Sequence, residues 1–100
     1  MKVKVQSIHF DADQKLIAFV EQKVEKLEQF YEGFIGAEVF LRLDKSHTNE
    51  NKVAEIKLDV PGKDLFAKRQ CKSFEEAIDS AAEALRRQVK KKKEKQESFS

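Results

Sequence analysis

The feature that most constrains the fold is a switch in hydrophobic period along the chain. Apolar and polar side chains alternate, as in strands with one buried face, in segments 2–8, 37–44, 52–60 and about 65–71. Apolar side chains instead recur at helical spacing over 14–31 and again from about residue 74. The predicted order of elements is therefore β-α-β-β-β-α, and a chain of 100 residues has room for one domain.

This order predicts an α+β fold. Two amphipathic helices and a sheet with one apolar face form a two-layer sandwich, in which both helices pack on one face of a four-stranded sheet. The first helix is a crossover, so strand 1 should run parallel to a later strand, and the remaining pairs should be hairpins. The Pro61-Gly62 pair predicts the tight turn before the last strand. The arrangement is similar to that of double-stranded-RNA-binding domains.

Local signals give finer expectations. Either Asp11 or Asp13 caps the first helix, and Gly33 should end that helix in the left-handed conformation. Val53 should face outward, opposite to the core residues of the third strand. Ser73 begins a capping box for the second helix, which nothing interrupts until about residue 95.

Composition excludes several classes of protein. The single cysteine, Cys71, rules out an internal disulfide, and neither His9 nor His47 has acidic residues at a metal-ligand spacing. The three glycines match no phosphate-binding loop. We therefore expect a protein that is not an enzyme and has no cofactor, metal or small-molecule substrate. The absence of a long apolar run and of a signal peptide predicts a cytoplasmic protein that does not bind membranes.

Charge is concentrated at the C-terminal end. Residues 1–85 carry 13 basic and 16 acidic side chains, whereas residues 86–100 carry seven basic and two acidic ones. A helix dipole favours one or two cations in its last turn, but seven like charges repel one another unless a polyanion neutralises them. The run therefore favours binding to nucleic acid, although a solvated tail on a protein-interaction domain would have the same composition.

The outer face of the sheet is a rival surface. Phe40 and Phe66 lie there among lysines and arginines, which is the composition of a single-strand stacking platform. Acidic residues share the same face, so cross-strand ion pairs would explain the mixture without any ligand.

Several motifs occur together in a characteristic order: His9-Phe10, LIAFVEQKVEKLEQFY at 16–31, AEVFL at 37–41, Pro61-Gly62, and FEEAIDSAAEALRRQVKKKKEK at 74–95. In these the chain resembles the bacterial ribosome hibernation promoting factors, also called ribosome-associated inhibitors. The resemblance implies binding to the 30S subunit and the 70S ribosome through 16S rRNA, in the channel for messenger and transfer RNA. It also implies inhibition of translation, by occlusion, during stress or stationary phase. The alternative is a generic RNA-binding module or RNA chaperone.

The resemblance also implies which residues meet the phosphates of ribosomal RNA. Carried over by position they are Lys23, Lys26, Arg87, Lys90, Lys91 and Lys93. The charge pattern itself adds Arg86 and Lys95 as neighbours. We expect residues 1–95 to form a single ribosome-binding domain and 96–100 a short tail.

The short tail leads to an expectation about assembly. It leaves no room for the dimerising domain of the family's long form or for the extended tail of its inhibitor subtype. We expect a monomer in isolation, and a second factor wherever ribosomes pair.

Overall fold

The computed structural model describes residues 2–45 and 49–97, with side chains as far as Lys92. The elements follow the predicted order: β1 (Lys2–Ile8), α1 (Gln14–Glu25), β2 (Gly36–Leu43), β3 (Lys52–Asp59), β4 (Leu65–Cys71) and α2 (Phe74–Glu97). A short 3-10 helix, Lys26–Gln29, continues α1. Part of the predicted loop after β2, including His47, lies outside the described residues.

The four strands form one mixed sheet in the order β1-β2-β3-β4. β1 runs parallel to β2, as a crossover requires, and the other two pairs are antiparallel hairpins. The pairing places Val39 of β2 between Val5 and Ile56 on the face that the helices cover. The predicted α+β sandwich is confirmed.

The core lies between the inner face of the sheet and the two helices. Its fully buried side chains come from β2 and β3, from α1 and from α2: Val39, Leu41, Ile56, Leu58, Val20, Val24, Ile78, Leu85 and Val89. Each of them stabilises the fold by about 1.5–3 kcal/mol relative to an exposed position. The last of them, Val89, marks where α2 leaves the sheet.

The two helices run in the same direction. β1 and β4 both point the same way, and each is followed by a helix that returns across the sheet. Lys23 forms an ion pair with Asp79. Seven residues after each of them in the chain, the ring of Phe30 contacts the guanidinium of Arg86. The C-terminal ends of both helical segments therefore lie at the same end of the domain. α2 continues about 12 Å beyond Val89, as the uninterrupted helical pattern predicts.

The structure shortens the first helix relative to its prediction and decides between its two predicted caps. Its α-helical part ends at Glu25 and tightens into the 3-10 turn. The cap is Asp13 and not Asp11, because Asp13 Oδ1 accepts the backbone N–H of Leu16 at 2.8 Å.

The prediction for Gly33 is wrong. Within residues 2–45 and 49–97, a left-handed φ occurs at His9, at 64°, and at Gly62, at 96°. Gly33 instead lies against the far end of the Tyr31 ring, which would have to shift to make room for a β-carbon there. Gly62 has the left-handed φ expected of the Pro61-Gly62 turn.

Val53 lies on the outer face as predicted, outside the core cluster, but it is only 2% exposed. Val53 lies between the long side chains of Arg42 and Gln70 on the neighbouring strands. The amide of Gln70 donates to Asp44 Oδ2 at 3.0 Å and to the carbonyl of Glu50 at 2.7 Å, so it spans this end of the sheet. Flanking polar residues thus cover a valine on the outer face.

Two leucines of β2 provide a test of the core. We expect Leu41→Ala to lower the free energy of unfolding by about 2–5 kcal/mol, because Leu41 is fully buried and its loss leaves a cavity. Leu43→Ala is the matched control, since Leu43 is 49% exposed and its removal should cost far less. Equal losses of stability in urea unfolding would contradict this packing.

Candidate nucleic-acid interface

A groove of about 190 Å³ separates the two helical segments on the surface away from the sheet. It is lined by Lys23, Lys26, Leu27 and Phe30 from one side and by Asp79, Ala82, Glu83 and Arg86 from the other. On each side these residues follow helical spacing, so each helix turns one continuous row toward the groove. Leu27 is nearly fully buried and forms the apolar floor.

Lys23 is held at the groove by α2. Its Nζ lies 3.0 Å from Asp79 Oδ1 and 5.5 Å from the centre of the Phe19 ring. Both partners of the ion pair are partly exposed, so the pair contributes less than about 1 kcal/mol. An incoming phosphate can therefore replace the carboxylate at little cost.

Arg86 is held in place more firmly than Lys23. Its Nε and a terminal nitrogen donate to the two carboxylate oxygens of Glu83 at 3.0 and 2.6 Å. This hydrogen bonding lowers the pKa of Glu83 and raises the pKa of Arg86. The guanidinium carbon also lies 5.8 Å from the centre of the Phe30 ring, while Arg87 approaches Glu83 at 3.7 Å.

The basic end of α2 continues the groove-facing row. Asp79, Glu83, Arg86 and Lys90 recur every three or four residues, so the row is acidic at its start and basic at its end. Lys90 and Lys91 are exposed and form no ion pair with any other described side chain. The side chains of Lys93 and Lys95 lie outside the described residues, although both positions belong to α2.

The structure thus brings part of the predicted set together. Lys23, Lys26 and Arg86 line one groove, and Arg87, Lys90 and Lys91 follow on the same helix end. The sequence pattern alone does not single out Phe30, Asp79 or Glu83. Phe30 follows Lys23 by two helical turns, and Glu83 precedes Arg86 by three residues, so both spacings are usable signals in the sequence. The Lys23–Asp79 pair, in contrast, depends on how the two helices pack.

The outer face of the sheet has a different character. Glu55 pairs with Arg42 at 2.5 Å and with Lys68 at 3.9 Å, as cross-strand ion pairing predicts. Glu55 also lies directly between Phe40 and Lys68 in the register, so a carboxylate interrupts the aromatic surface. This face carries paired charges, as the groove does, but it lacks a neighbouring run of cations such as the one at the end of α2.

The described segments offer little support for a metal site, a reactive thiol or a membrane-spanning helix. No group of three or more metal-ligating residues occurs within residues 2–45 and 49–97. Burial raises the pKa of the Cys71 thiol, which keeps it protonated and a poor nucleophile at neutral pH. In the part of the chain that the structure covers, none of the helices has the length and apolar character needed to span a membrane.

Comparison with known proteins identifies the family. The family model described as sigma 54 modulation protein / S30EA ribosomal protein matches residues 3–97. The chain belongs to this family. The match spans both helices and nearly all of the four strands, so the sandwich and its groove lie within the matched residues. The predicted resemblance to hibernation promoting factors is confirmed.

Individual members of the S30EA family cover nearly the whole chain. The ribosome hibernation promoting factor of Pseudomonas putida is 32% identical over 99 residues, which are 99% of this chain and 93% of that protein. The ribosome hibernation promoting factor of Azotobacter vinelandii is 30% identical over 96 residues, or 96% of this chain and 86% of that protein.

Two solved structures share the fold. A ribosomal subunit interface protein from Coxiella burnetii superposes with a TM-score of 0.82 at 16% identity, over 93% of this chain and 98% of that one. The N-terminal domain of Thermus thermophilus Protein Y gives 0.78 at 27% identity, over 91% and 98%.

The Glu83–Arg86 contact predicts a measurable titration. We expect the pKa of Glu83 to lie below its ordinary value, with Arg86→Gln raising it toward that value because the main hydrogen bonds are lost. Arg87→Gln should raise it less. A lowered pKa means that the stabilisation is present at neutral pH and is lost only as the pH falls through the folded-state value. NMR titration of the side-chain carboxyl measures this, and an unshifted Glu83 in the wild-type protein would contradict the geometry.

Proposed function

We propose that this protein is a ribosome hibernation factor that binds the small ribosomal subunit in the channel for messenger and transfer RNA. Bound there, it inhibits translation during stress or stationary phase. The observation that carries the proposal is the convergence of cations from two parallel helices at one end of a domain of the S30EA family. The names of its relatives, hibernation promoting factor and ribosomal subunit interface protein, agree with this role.

The surface suits the phosphate backbone of folded RNA. Cations along a groove and a projecting helix contact several phosphates at once, and each contact releases counterions. Lys90 and Lys91 extend past the core and can enter a narrow RNA channel without disturbing the sandwich. The paired cations Lys23 and Arg86 are held in place before RNA arrives, which lowers the entropy lost on binding.

The proposed mechanism is occlusion without a chemical step. A domain wedged between 16S rRNA segments excludes messenger and transfer RNA from the 30S subunit and the 70S ribosome. The site of action is then the cytoplasm, where ribosomes work. Residues 1–95 as the binding domain, a monomeric state in isolation and a second factor for ribosome pairing remain predictions.

Sedimentation of a stationary-phase lysate through a sucrose gradient tests the function. The protein should migrate with 30S and 70S particles, and a wash in high salt should release it because the contacts are electrostatic. A variant carrying Lys90→Ala and Lys91→Ala should shift to the top fractions while remaining folded. Wild-type protein found only at the top of the gradient would contradict ribosome binding. Protein spread over messenger RNA, with no preference for ribosomal particles, would favour a generic RNA-binding module.

The two faces of the domain give a sharper prediction. Lys23→Glu with Lys26→Glu should weaken binding to purified 30S subunits more than Lys57→Glu with Lys68→Glu does. The first pair lines the groove, whereas the second pair lies on the outer face of the sheet near Asp64 and Glu55. Both double variants change the net charge equally, so the comparison isolates position. The reverse ranking in equilibrium binding assays would place the RNA on the sheet.

A further inference from the structure

Phe30 is unusual among the apolar residues of the helical layer. Phe30 is 38% exposed as a residue, whereas its neighbour Leu27 is 3% exposed. It lines the groove instead of completing the core, although it lies among three basic side chains, Lys23, Lys26 and Arg86. Asp79 and Glu83 also line the groove and partly neutralise these cations. An exposed aromatic ring beside basic side chains is the composition of a site for an unstacked base of single-stranded nucleic acid.

The ring is positioned before any ligand arrives. Phe30 directly follows the 3-10 helix, and its backbone N–H donates to the carbonyl of Leu27 at 3.1 Å. On its other side, Arg86 lies 5.8 Å from the ring centre, and Glu83 holds its guanidinium by two hydrogen bonds. The groove thus presents two flat groups, an aromatic ring and a guanidinium, both of which stack on nucleobases.

We propose that this groove receives one unpaired nucleobase, stacked on the ring of Phe30 beneath Arg86, while the lysines at the rim hold the flanking phosphates. The proposal rests on the proposed function and names the RNA element that the site selects: a single-stranded or flipped-out nucleotide. A regular duplex has no free base to offer, so it can use only the phosphate contacts.

Distances in the groove are compatible with this. A base stacked on both sides needs about 7–8 Å between the two flat groups, since carbon atoms in contact lie 3.5–4.0 Å apart. The guanidinium carbon of Arg86 lies 5.8 Å from the ring centre, so Arg86 has to move outward by about 1–2 Å. The Arg86 side chain is 41% exposed, so it can move into solvent without displacing buried core residues.

The closing experiment measures binding to purified 30S subunits by wild-type protein and by Phe30→Leu, Phe30→Tyr and Phe66→Leu. Phe30→Leu keeps an apolar side chain but removes the ring, Phe30→Tyr restores a ring, and Phe66→Leu is a control at an aromatic residue that is 52% exposed on the outer face of the sheet. We expect Phe30→Leu to weaken binding about 5- to 150-fold with an unchanged salt slope, and the other two variants to bind like the wild type.

A second measurement separates base from phosphate. Wild-type protein should bind a short oligoadenylate more tightly than an abasic strand of the same length, and Phe30→Leu should abolish that difference. If 30S subunits bind the wild type and Phe30→Leu equally, or the abasic strand binds as well as the oligoadenylate, the stacking proposal is overturned and the proposed function stands. If the wild type fails to bind 30S subunits yet still prefers the oligoadenylate, the proposed function fails and base stacking is retained.

Discussion

The parallel packing of the two helices on the sheet determines most of what this molecule can do. Val20 and Val24 of α1 and Ile78 and Leu85 of α2 are fully buried against the same sheet face. Because the helices run the same way, their C-terminal ends meet at one end of the domain. An antiparallel pair would have placed the cations of the two helices at opposite ends.

The distribution of charge over the helical surface depends on that packing. The negative end of each helix dipole stabilises cations in the last turns, and acidic residues such as Glu75 and Glu76 occupy the opposite end of α2. Within the groove Asp79 and Glu83 offset part of the positive charge and keep Lys23 and Arg86 oriented. Beyond the core, Lys90 and Lys91 have no such partner among the described side chains. The domain therefore has an oriented, partly neutralised groove beside a strongly cationic projection.

The sequence predicts the elements and the fold well because both depend on the spacing of apolar residues, which can be read directly from the sequence. The predicted limits of β4, 65–71, are those of the structure. Local details are harder to predict. Gly33 lies beside the ring of Tyr31 and lacks the predicted left-handed φ, and Val53 is buried on the outer face because Arg42 and Gln70 from other strands cover it. The candidate site was likewise predictable where it depends on the residue order, and not predictable where it depends on packing. The basic run at the end of α2 and the local Glu83–Arg86 pair can be inferred from the sequence, but the groove, the Lys23–Asp79 pair and the contact of Phe30 with Arg86 require the two helices to be packed.

Directed hydroxyl-radical cleavage of 16S rRNA tests most directly which face meets the ribosome. Cys71 is the single cysteine, so Cys71→Ser gives a background in which one probe can be attached at Ala82→Cys in the groove or at Glu38→Cys on the outer sheet. With either protein bound to 30S subunits, we predict strong cleavage from the groove position at rRNA lining the channel for messenger and transfer RNA, and weaker, more distant cleavage from the sheet position. Stronger cleavage from the sheet, or cleavage confined to rRNA outside that channel, would contradict the account.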